Sequence, residues 1–187
     1  MKIISFYENQ KVLIKRAAKG NRPAQRMLFE KHAPRMLSVC RQYIKDLHFA
    51  EDVMLSGFVK VFNNLHAFRG EGSFEGWVRR IMIHEAISYL RKNQFVVFDS
   101  EVLEQVAHTE LIPAPNLDEE AIQSLIDALP DGYKMVFVLY AVEGYKHQEI
   151  ASMLNISEST SKSQLFKARK HLQNQISTLE LSRSAES

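Results

Sequence analysis

The side chains best suited to binding chemistry stand near the end of the chain, where cations, a hydroxyl and an aromatic ring share a helical face. They are Lys162, Ser163, Phe166, Lys167 and Lys170, with Arg169 beside them. Lysine and arginine neutralise phosphates, while hydroxyl and apolar groups contact base edges in the major groove. The cluster therefore predicts a DNA-contacting surface. The alternative is the basic outer face of an ordinary amphipathic hairpin.

Two helices and a tight corner must position this face. Ile150 and Leu154 form a short apolar stripe, and a second stripe with helical spacing runs over residues 161–172. Between them, the Ser157 hydroxyl suits the N-cap of the second helix because it can accept an unpaired backbone N–H. We therefore predict a helix-turn-helix over residues 144–172, with its second helix in a DNA groove.

The composition describes a folded protein without membrane or redox signals. A chain of 187 residues with 45% hydrophobic content fits one medium domain or two small ones. Polar residues interrupt the start of the chain before any signal-peptide core develops, and no apolar run reaches the ~18 residues of a membrane helix. We expect a cytoplasmic protein with no membrane insertion. The single Cys40 is expected to pack in a core.

Charge is distributed unevenly along the chain. Residues 1–92 hold 17 Lys or Arg and 8 Asp or Glu, residues 93–132 hold 9 acids and no Lys or Arg, and residues 133–187 hold 7 against 5. Residues 93–117 also lack sustained periodicity. This pattern predicts two modules that contact a polyanion, joined by an acidic linker that does not.

Helical patterns fill the first module, residues 1–92. Gly20 closes a first helix, and Asn21 is an N-cap candidate with Pro23 in the next helical turn. Pro34 predicts a kink or break near His32, followed by a fresh helix from Arg35 to Lys45. All predicted elements are helices, so the fold class is all-α with two small helical domains.

The segment from Ala50 to Phe68 carries two apolar stripes instead of one. Met54 and Phe58 belong to the first stripe, and Leu55, Val59 and Phe62 form the second. One stripe packs on its own domain. The residues alone favour a deep core for the second, and the alternative is a surface held for a partner protein.

Aromatic and cationic residues lie side by side in the next helix. Ser73 can cap a helix that starts at Phe74 and contains Trp77, with a basic edge that includes Arg80. Rings stack on unpaired bases while cations hold the backbone, so this helix is a candidate site for single-stranded nucleic acid. The alternative is that Phe74 and Trp77 belong to the core and the arginines are solvated.

The second module, residues 118–176, is predicted to begin with a helix over Asp118 to Leu129. Pro130 can open the next helix, and the apolar run Met135 to Val142 reads better as helix than as buried strand because Gly144 ends it like a cap. Residues 177–187 are predicted to be a disordered tail.

Motifs for catalysis are absent from the sequence. His84 has no second histidine four residues on, the glycine-rich segment at 70–73 lacks the lysine of a phosphate-binding loop, and no nucleophile elbow occurs. We therefore expect no enzyme activity, no cofactor and no metal.

In order along the chain, the segments AEDV…GFVKVF, FRGEGSFEGWVRRI…SYLRK and GY..QEIA.ML resemble bacterial RNA polymerase sigma factors of the extracytoplasmic-function (ECF) type. The resemblance covers about residues 10–92 and 118–175. It implies that the double-striped helix binds core RNA polymerase through Asp52, Val53, Leu55, Val59 and Phe62. The family usually has a glutamine and an acid where this chain has Leu55 and Ser56, which favours apolar over polar contacts.

The resemblance also implies two DNA sites. Reading and melting of the minus-ten promoter element falls to Phe68, Arg69, Phe74, Trp77, Arg80 and His84. Recognition of the minus-thirty-five element falls to Ser159, Thr160, Lys162, Ser163, Phe166, Lys167 and Lys170. His84 stands where relatives commonly have asparagine, and Tyr140 where some have arginine. Ser159 and Ser161 replace a more usual glycine and valine.

The sequence thus predicts a sigma factor that directs core RNA polymerase to promoter DNA, and the resemblance implies an anti-sigma factor as a further partner. Two alternatives belong to other classes. One is a stand-alone helix-turn-helix regulator, and the other is a sigma-like decoy that binds an anti-sigma factor.

Overall fold

A computed structural model describes residues 2–92 and 118–185 of the chain, and every regular element in these ranges is helical. The chain divides into two compact units, Met1–Leu90 and Arg91–Ser187. The predicted all-α class is therefore confirmed. The predicted acidic linker, residues 93–117, lies outside the described residues.

Unit 1 is built from four helices and a short 3-10 turn. They are α1 (Lys2–Ala18), α2 (Arg22–Tyr43), α3 (Leu47–Asn63), the turn Leu65–Ala67, and α4 (Phe74–Lys92), whose last two residues pass the boundary of the unit. Helix α2 packs against α1 and α3. Three predicted local features are confirmed: Gly20 ends α1 with a φ of 80°, Asn21 Oδ1 accepts from Ala24 N–H at 2.9 Å, and Ser73 Oγ accepts from Gly76 N–H at 3.0 Å.

The predicted break near His32 and the predicted fresh helix from Arg35 to Lys45 are wrong, because α2 runs from Arg22 to Tyr43 with Pro34 inside it. An internal proline removes one backbone hydrogen bond and crowds the preceding turn. Here the cost is offset by apolar burial on both sides of the proline, where Leu28 and Met36 are both fully buried. Pro34 itself is exposed. Tertiary packing therefore outweighs the local preference for a break.

The core of unit 1 takes one stripe of α3 and the inward face of α4. Met54, Phe58 and Val61 are buried, and Val78 and Met82 of α4 are fully enclosed. A Cβ at Gly57 would collide with the Met82 sulphur, so the glycine leaves room for the Met82 side chain against the backbone of α3. The predicted core position of Cys40 is confirmed, and its burial raises the pKa of the thiol to about 12.

The described residues 118–185 of unit 2 form four helices. They are α5 (Glu119–Asp127), α6 (Asp131–Phe137), which continues as a π-helical segment (Val138–Val142), α7 (His147–Leu154) and α8 (Glu158–Ala185). Helix α8 packs against α5, α6 and α7. The helical interpretation of the run Met135 to Val142 is confirmed, and Gly144 follows it with a φ of 77°.

The prediction of a disordered tail from residue 177 is wrong for residues 177–185, which belong to α8. Once a helix is nucleated, each further residue adds a hydrogen bond at small entropic cost. No glycine or proline follows Glu158 to stop the helix. Residues 186 and 187 lie outside the described part of the chain.

Candidate nucleic-acid interface

The helix-turn-helix of unit 2 has the predicted corner. Helix α7 ends at Leu154, and its C-cap residue Asn155 adopts the left-handed conformation with a φ of 56°. Ser157 Oγ then accepts from Thr160 N–H at 2.9 Å and caps α8, as predicted. Buried Ile150, Leu154 and Leu165 hold the two helices together. The corner therefore fixes the direction in which α8 leaves the domain.

The outward face of α8 carries most of the predicted DNA-contacting side chains. Ser159, Lys162 and Lys170 are exposed, while Thr160, Phe166 and Lys167 are partly exposed. Glu158 pairs with Lys162 at 2.7 Å across one helical turn, which lowers the pKa of the glutamate. The cations of this face lie one and two turns apart, a spacing that suits contacts along a phosphate backbone.

Ser163 is buried, so its prediction as a DNA-contacting surface residue is wrong. Its side chain is only 4% exposed, and its hydroxyl donates to the Thr160 carbonyl at 3.0 Å. Serine often bonds back to its own helix in this way. Ser163 therefore supports the backbone of the first turn instead of presenting a hydroxyl to a ligand.

A ring and hydrogen-bond array that the sequence did not predict lies beside this face. The Tyr140 and His147 rings stack with centroids 4.7 Å apart, and His147 Nδ1 lies 2.9 Å from Ser161 Oγ. The Arg169 guanidinium carbon sits over the Tyr140 ring, 5.7 Å from its centroid. Tyr140 and Ser161 each depart from the family pattern in sequence. Their connection through His147 is a tertiary contact, which the sequence does not show.

A buried ion pair supports the same unit. Lys134, only 1% exposed, reaches Asp127 Oδ1 at 2.5 Å. Sequence analysis missed this pair, although a lysine next to the apolar run Met135 to Val142 was a possible signal. Removal of Asp127 would break this buried pair, a change that typically costs about 3–5 kcal/mol.

In unit 1 three aromatic rings meet where the 3-10 turn leads into α4. Ring centroids of Phe68 and Phe74 are 5.3 Å apart, those of Phe68 and Trp77 are 5.6 Å apart, and those of Phe74 and Trp77 are 5.9 Å apart. Phe68 and Trp77 remain partly exposed, but Phe74 is 5% exposed. The structure thus excludes Phe74 from direct stacking on a base and makes it the support of the other two rings.

The other residues predicted for this site lie on the surface of unit 1. Arg69, Arg80 and His84 are exposed, as their predicted role requires. Arg35 of α2 pairs with Glu75 of α4 at 2.9 Å, and Lys60 of α3 pairs with Glu85 of α4. The first pair joins α2 to the first turn of α4, and the second joins α3 to the middle of α4.

His32 lies beneath the cluster. Its ring packs edge-on against Phe74 with centroids 5.4 Å apart, and the side chain is 4% exposed. Nε2 has no hydrogen-bond partner among the residues that the structure describes. Burial lowers the pKa of His32, with a smaller contribution in the same direction from Lys31 and an opposing one from Glu75. The imidazole is therefore held neutral under the rings.

The His32 environment predicts loss of stability on acidification. As the pH falls below the ordinary histidine pKa of about 6.5, unfolded chains bind a proton that the folded unit resists, so unfolding becomes easier until the lowered pKa is reached. A His32→Leu variant should lose less stability than the parent between pH 7.5 and 5.5. Thermal unfolding at both pH values measures this, and an identical decrease in the two proteins would contradict the prediction.

The second stripe of α3 is not deep core, contrary to the interpretation favoured by the residues alone. Leu55 is 49% exposed and Val59 is 59% exposed, while Phe62 is partly exposed and Asp52 is fully on the surface. Val53 is buried, so its side chain is not available to a partner and is removed from the predicted contact set. The helix faces its own core with one stripe and solvent with the other.

Each of the two units matches the model of a known protein family. The model for Sigma-70 region 2 matches residues 28–96, and the model for Sigma-70 region 4 matches residues 119–172. ECF RNA polymerase sigma-E factor of Escherichia coli is 26% identical over 181 residues, covering 90% of this chain and 94% of that protein. The chain belongs to the ECF sigma factors of RNA polymerase.

Other relatives align with a similar share of this chain. ECF RNA polymerase sigma-E factor of Haemophilus influenzae is 24% identical, covering 89% of the chain and 95% of that protein. The solved structure of the sigma factor RpoE with the anti-sigma factor NepR from Bartonella quintana matches in fold, with a TM-score of 0.51, 19% identity, and coverage of 80% of this chain and 94% of that one. Within the described residues, no helix is long and apolar enough to cross a membrane.

Proposed function

We propose that this sigma factor directs core RNA polymerase to promoters by dividing the contacts between its two units. Unit 1 binds the polymerase and the minus-ten element, and unit 2 binds the minus-thirty-five element. The strongest support is the combination, in one chain, of an exposed basic helix-turn-helix face with an exposed apolar stripe on α3. A stand-alone regulator needs only the first of these surfaces.

The α3 stripe has the chemistry of a protein-binding surface. Leu55 and Val59 lie one helical turn apart and are both about half exposed, with Asp52 one turn before Leu55. Exposed apolar side chains that line up on one face mark interaction sites more often than isolated ones do. We assign this stripe, with Phe62 at its end, to core polymerase.

The aromatic cluster has the chemistry of a single-strand binding site. Trp77 and Phe68 present partly exposed rings, and exposed Arg69, Arg80 and His84 can hold the backbone of an unpaired strand. Stacking is worth about 1–3 kcal/mol per base, which can offset lost base pairing without nucleotide hydrolysis. In this proposal unit 1 stabilises the opened minus-ten element, and this sigma factor acts as a non-catalytic regulator in the cytoplasm.

The helix-turn-helix supplies duplex contacts. Lys162, Lys167 and Lys170 approach phosphates, and Ser159, Thr160 and Phe166 approach base edges of the minus-thirty-five element. Each unit alone is expected to bind weakly, and attachment to polymerase raises the effective concentration of the second contact once the first has formed.

In vitro transcription tests the whole proposal. The purified chain is added to core RNA polymerase of the same bacterium with fragmented genomic DNA as template, and transcript 5′ ends are mapped. We expect new start sites with two shared upstream motifs, absent with core enzyme alone. Tight binding to duplex DNA without polymerase would instead indicate a stand-alone regulator. Absence of both core binding and new start sites would indicate the decoy that binds an anti-sigma factor.

An anti-sigma factor remains a proposed partner of this chain. The exposed stripe of Leu55 and Val59 is the surface that such a regulator would have to cover to keep polymerase away. Competition between the regulator and core enzyme for the purified chain, measured by gel filtration, tests this mode of inhibition.

A further inference from the structure

Tyr140 occupies an irregular part of unit 2. It lies in the π-helical segment Val138–Val142, where Glu143 N–H donates to the Val138 carbonyl at 3.0 Å. A π-helical turn holds one more residue than an α-helical turn and is found frequently at functional sites. The extra residue rotates the positions around Tyr140 relative to regular α-helical spacing. The ring contacts both His147 of α7 and Arg169 of α8.

Arg169 shares a helical stripe with Lys162 and Phe166, seven and three positions away. Its side chain is exposed, and among the described residues no carboxylate pairs with it. Lys162, by contrast, is engaged by Glu158 at 2.7 Å. Arg169 is therefore the cation of this stripe whose charge is not already offset by a neighbouring carboxylate.

We propose that Arg169 is a DNA phosphate contact of the minus-thirty-five site and that Tyr140 is the residue that positions it. The proposal rests on the assignment of the helix-turn-helix to that element. A long arginine side chain loses rotamer freedom on binding, and a guanidinium already resting on an aromatic face loses less. The ring thus holds the cation at the edge of the α8 face before DNA arrives.

The Tyr140 ring is itself held in place by a second side chain, His147. His147 stacks on it with an interplanar angle of 22°, and the hydrogen bond between His147 and the fully buried Ser161 fixes the imidazole to the first turn of α8. Burial, Lys162 and Arg169 lower the pKa of His147, against an opposing effect of Glu158. A neutral imidazole avoids placing a second cation beside Arg169.

This array explains how the chain works with tyrosine where some relatives have arginine. The guanidinium is supplied from α8 and rests on the tyrosine ring, instead of extending from position 140 itself. Position 140 therefore orients a contact instead of making one. Such a role requires the ring but not the phenolic hydroxyl.

Salt-dependent binding by the holoenzyme tests the proposal. The probe is promoter DNA taken from the start sites mapped with the parent protein, and the dissociation constant is measured over a series of KCl concentrations. Arg169→Gln should weaken binding about 10-fold, the usual effect of losing a charge-assisted hydrogen bond. It should also reduce the slope of log affinity against log salt by about 0.9, the value for one phosphate contact.

Variants at position 140 separate the ring from the hydroxyl. Tyr140→Phe should bind like the parent, whereas Tyr140→Leu should bind about 3-fold more weakly because the cation–π contact is lost. In the Arg169→Gln background, Tyr140→Leu should have little further effect, because the residue it orients is already absent. Equal effects of Tyr140→Leu in both backgrounds would overturn the positioning role.

Two controls distinguish the loss of a DNA contact from a general effect of charge and from unfolding. Lys15→Gln removes one exposed cation from α1 of unit 1 and should leave the salt slope unchanged. Thermal unfolding confirms that each variant is folded. If the parent holoenzyme does not bind mapped promoters, the proposed function fails; if it binds but Arg169→Gln keeps the parent slope, only the Arg169 contact is rejected.

Discussion

Replacing Val59 by glutamate is expected to remove this sigma factor from core RNA polymerase. Val59 is the more exposed member of the α3 stripe, so the substitution costs the free protein little. In the complex a carboxylate would be buried without a partner. Central interface residues typically contribute about 2–4 kcal/mol, so we expect core binding to weaken about 30- to 1000-fold. Gel filtration and fluorescence titration with purified core enzyme measure the loss.

Val12 offers a matched control for this experiment. It is a valine on α1 of the same unit and is 54% exposed, close to the 59% of Val59. Val12→Glu introduces the same charge and should bind core enzyme like the parent. Equal affinity of Val59→Glu and the parent would remove the α3 stripe from the polymerase contact. Equal losses in both variants would point to a general effect of charge.

Replacing Trp77 by leucine is expected to block promoter opening while leaving the earlier complex intact. Leucine retains apolar contact with the buried Phe74 but has no ring face for an unpaired base. Loss of one stacked base costs about 1–3 kcal/mol, which lowers the open fraction about 5- to 150-fold. Permanganate reactivity of thymines in the minus-ten element reports opening, and filter binding of the holoenzyme reports total promoter binding.

The companion variant Trp77→Phe distinguishes stacking from packing. Phenylalanine keeps an aromatic face at the same place, so thymine reactivity should recover in large part. If leucine and phenylalanine give equal reactivity, Trp77 acts only by filling space. If both variants lose promoter binding together with reactivity and unfold at lower temperature than the parent, the tryptophan is a structural residue of unit 1.

Two predicted contact residues became supports because of where their helices pack. Phe74 was grouped with Trp77 by sequence, since aromatic residues near cations are typical of base-stacking sites. The structure turns Phe74 inward, onto His32 and beneath Phe68 and Trp77. Ser163 likewise turns its hydroxyl to the backbone. A residue type suited to contact nucleic acid is equally suited to support its neighbours, and only burial separates the two roles.

Helix α3 shows the reverse case, in which residues predicted to be buried are exposed. The helix carries two apolar stripes, and sequence alone favoured burial of both. Leu55 and Val59 are exposed because the unit supplies helices to cover only one side of α3. The number of neighbours available to a helix is a property of the assembled unit and does not appear in the periodicity of that helix.

The sequence by itself determined the helical class, the helix-turn-helix and the capping residues Asn21, Ser73 and Ser157. These features depend on local spacing and on backbone hydrogen bonds within a few residues, so they can be read along the chain. Membership of the sigma family also followed from the order of short motifs.

Only the tertiary structure decided which side of each helix meets solvent and which distant side chains meet each other. Three features depend on contacts between helices or across turns. They are the continuity of α2 through Pro34, the buried pair of Lys134 and Asp127, and the contact of Arg169 with Tyr140. Burial free energy depends on the surface that neighbouring elements remove from water, and that surface exists only after the helices assemble.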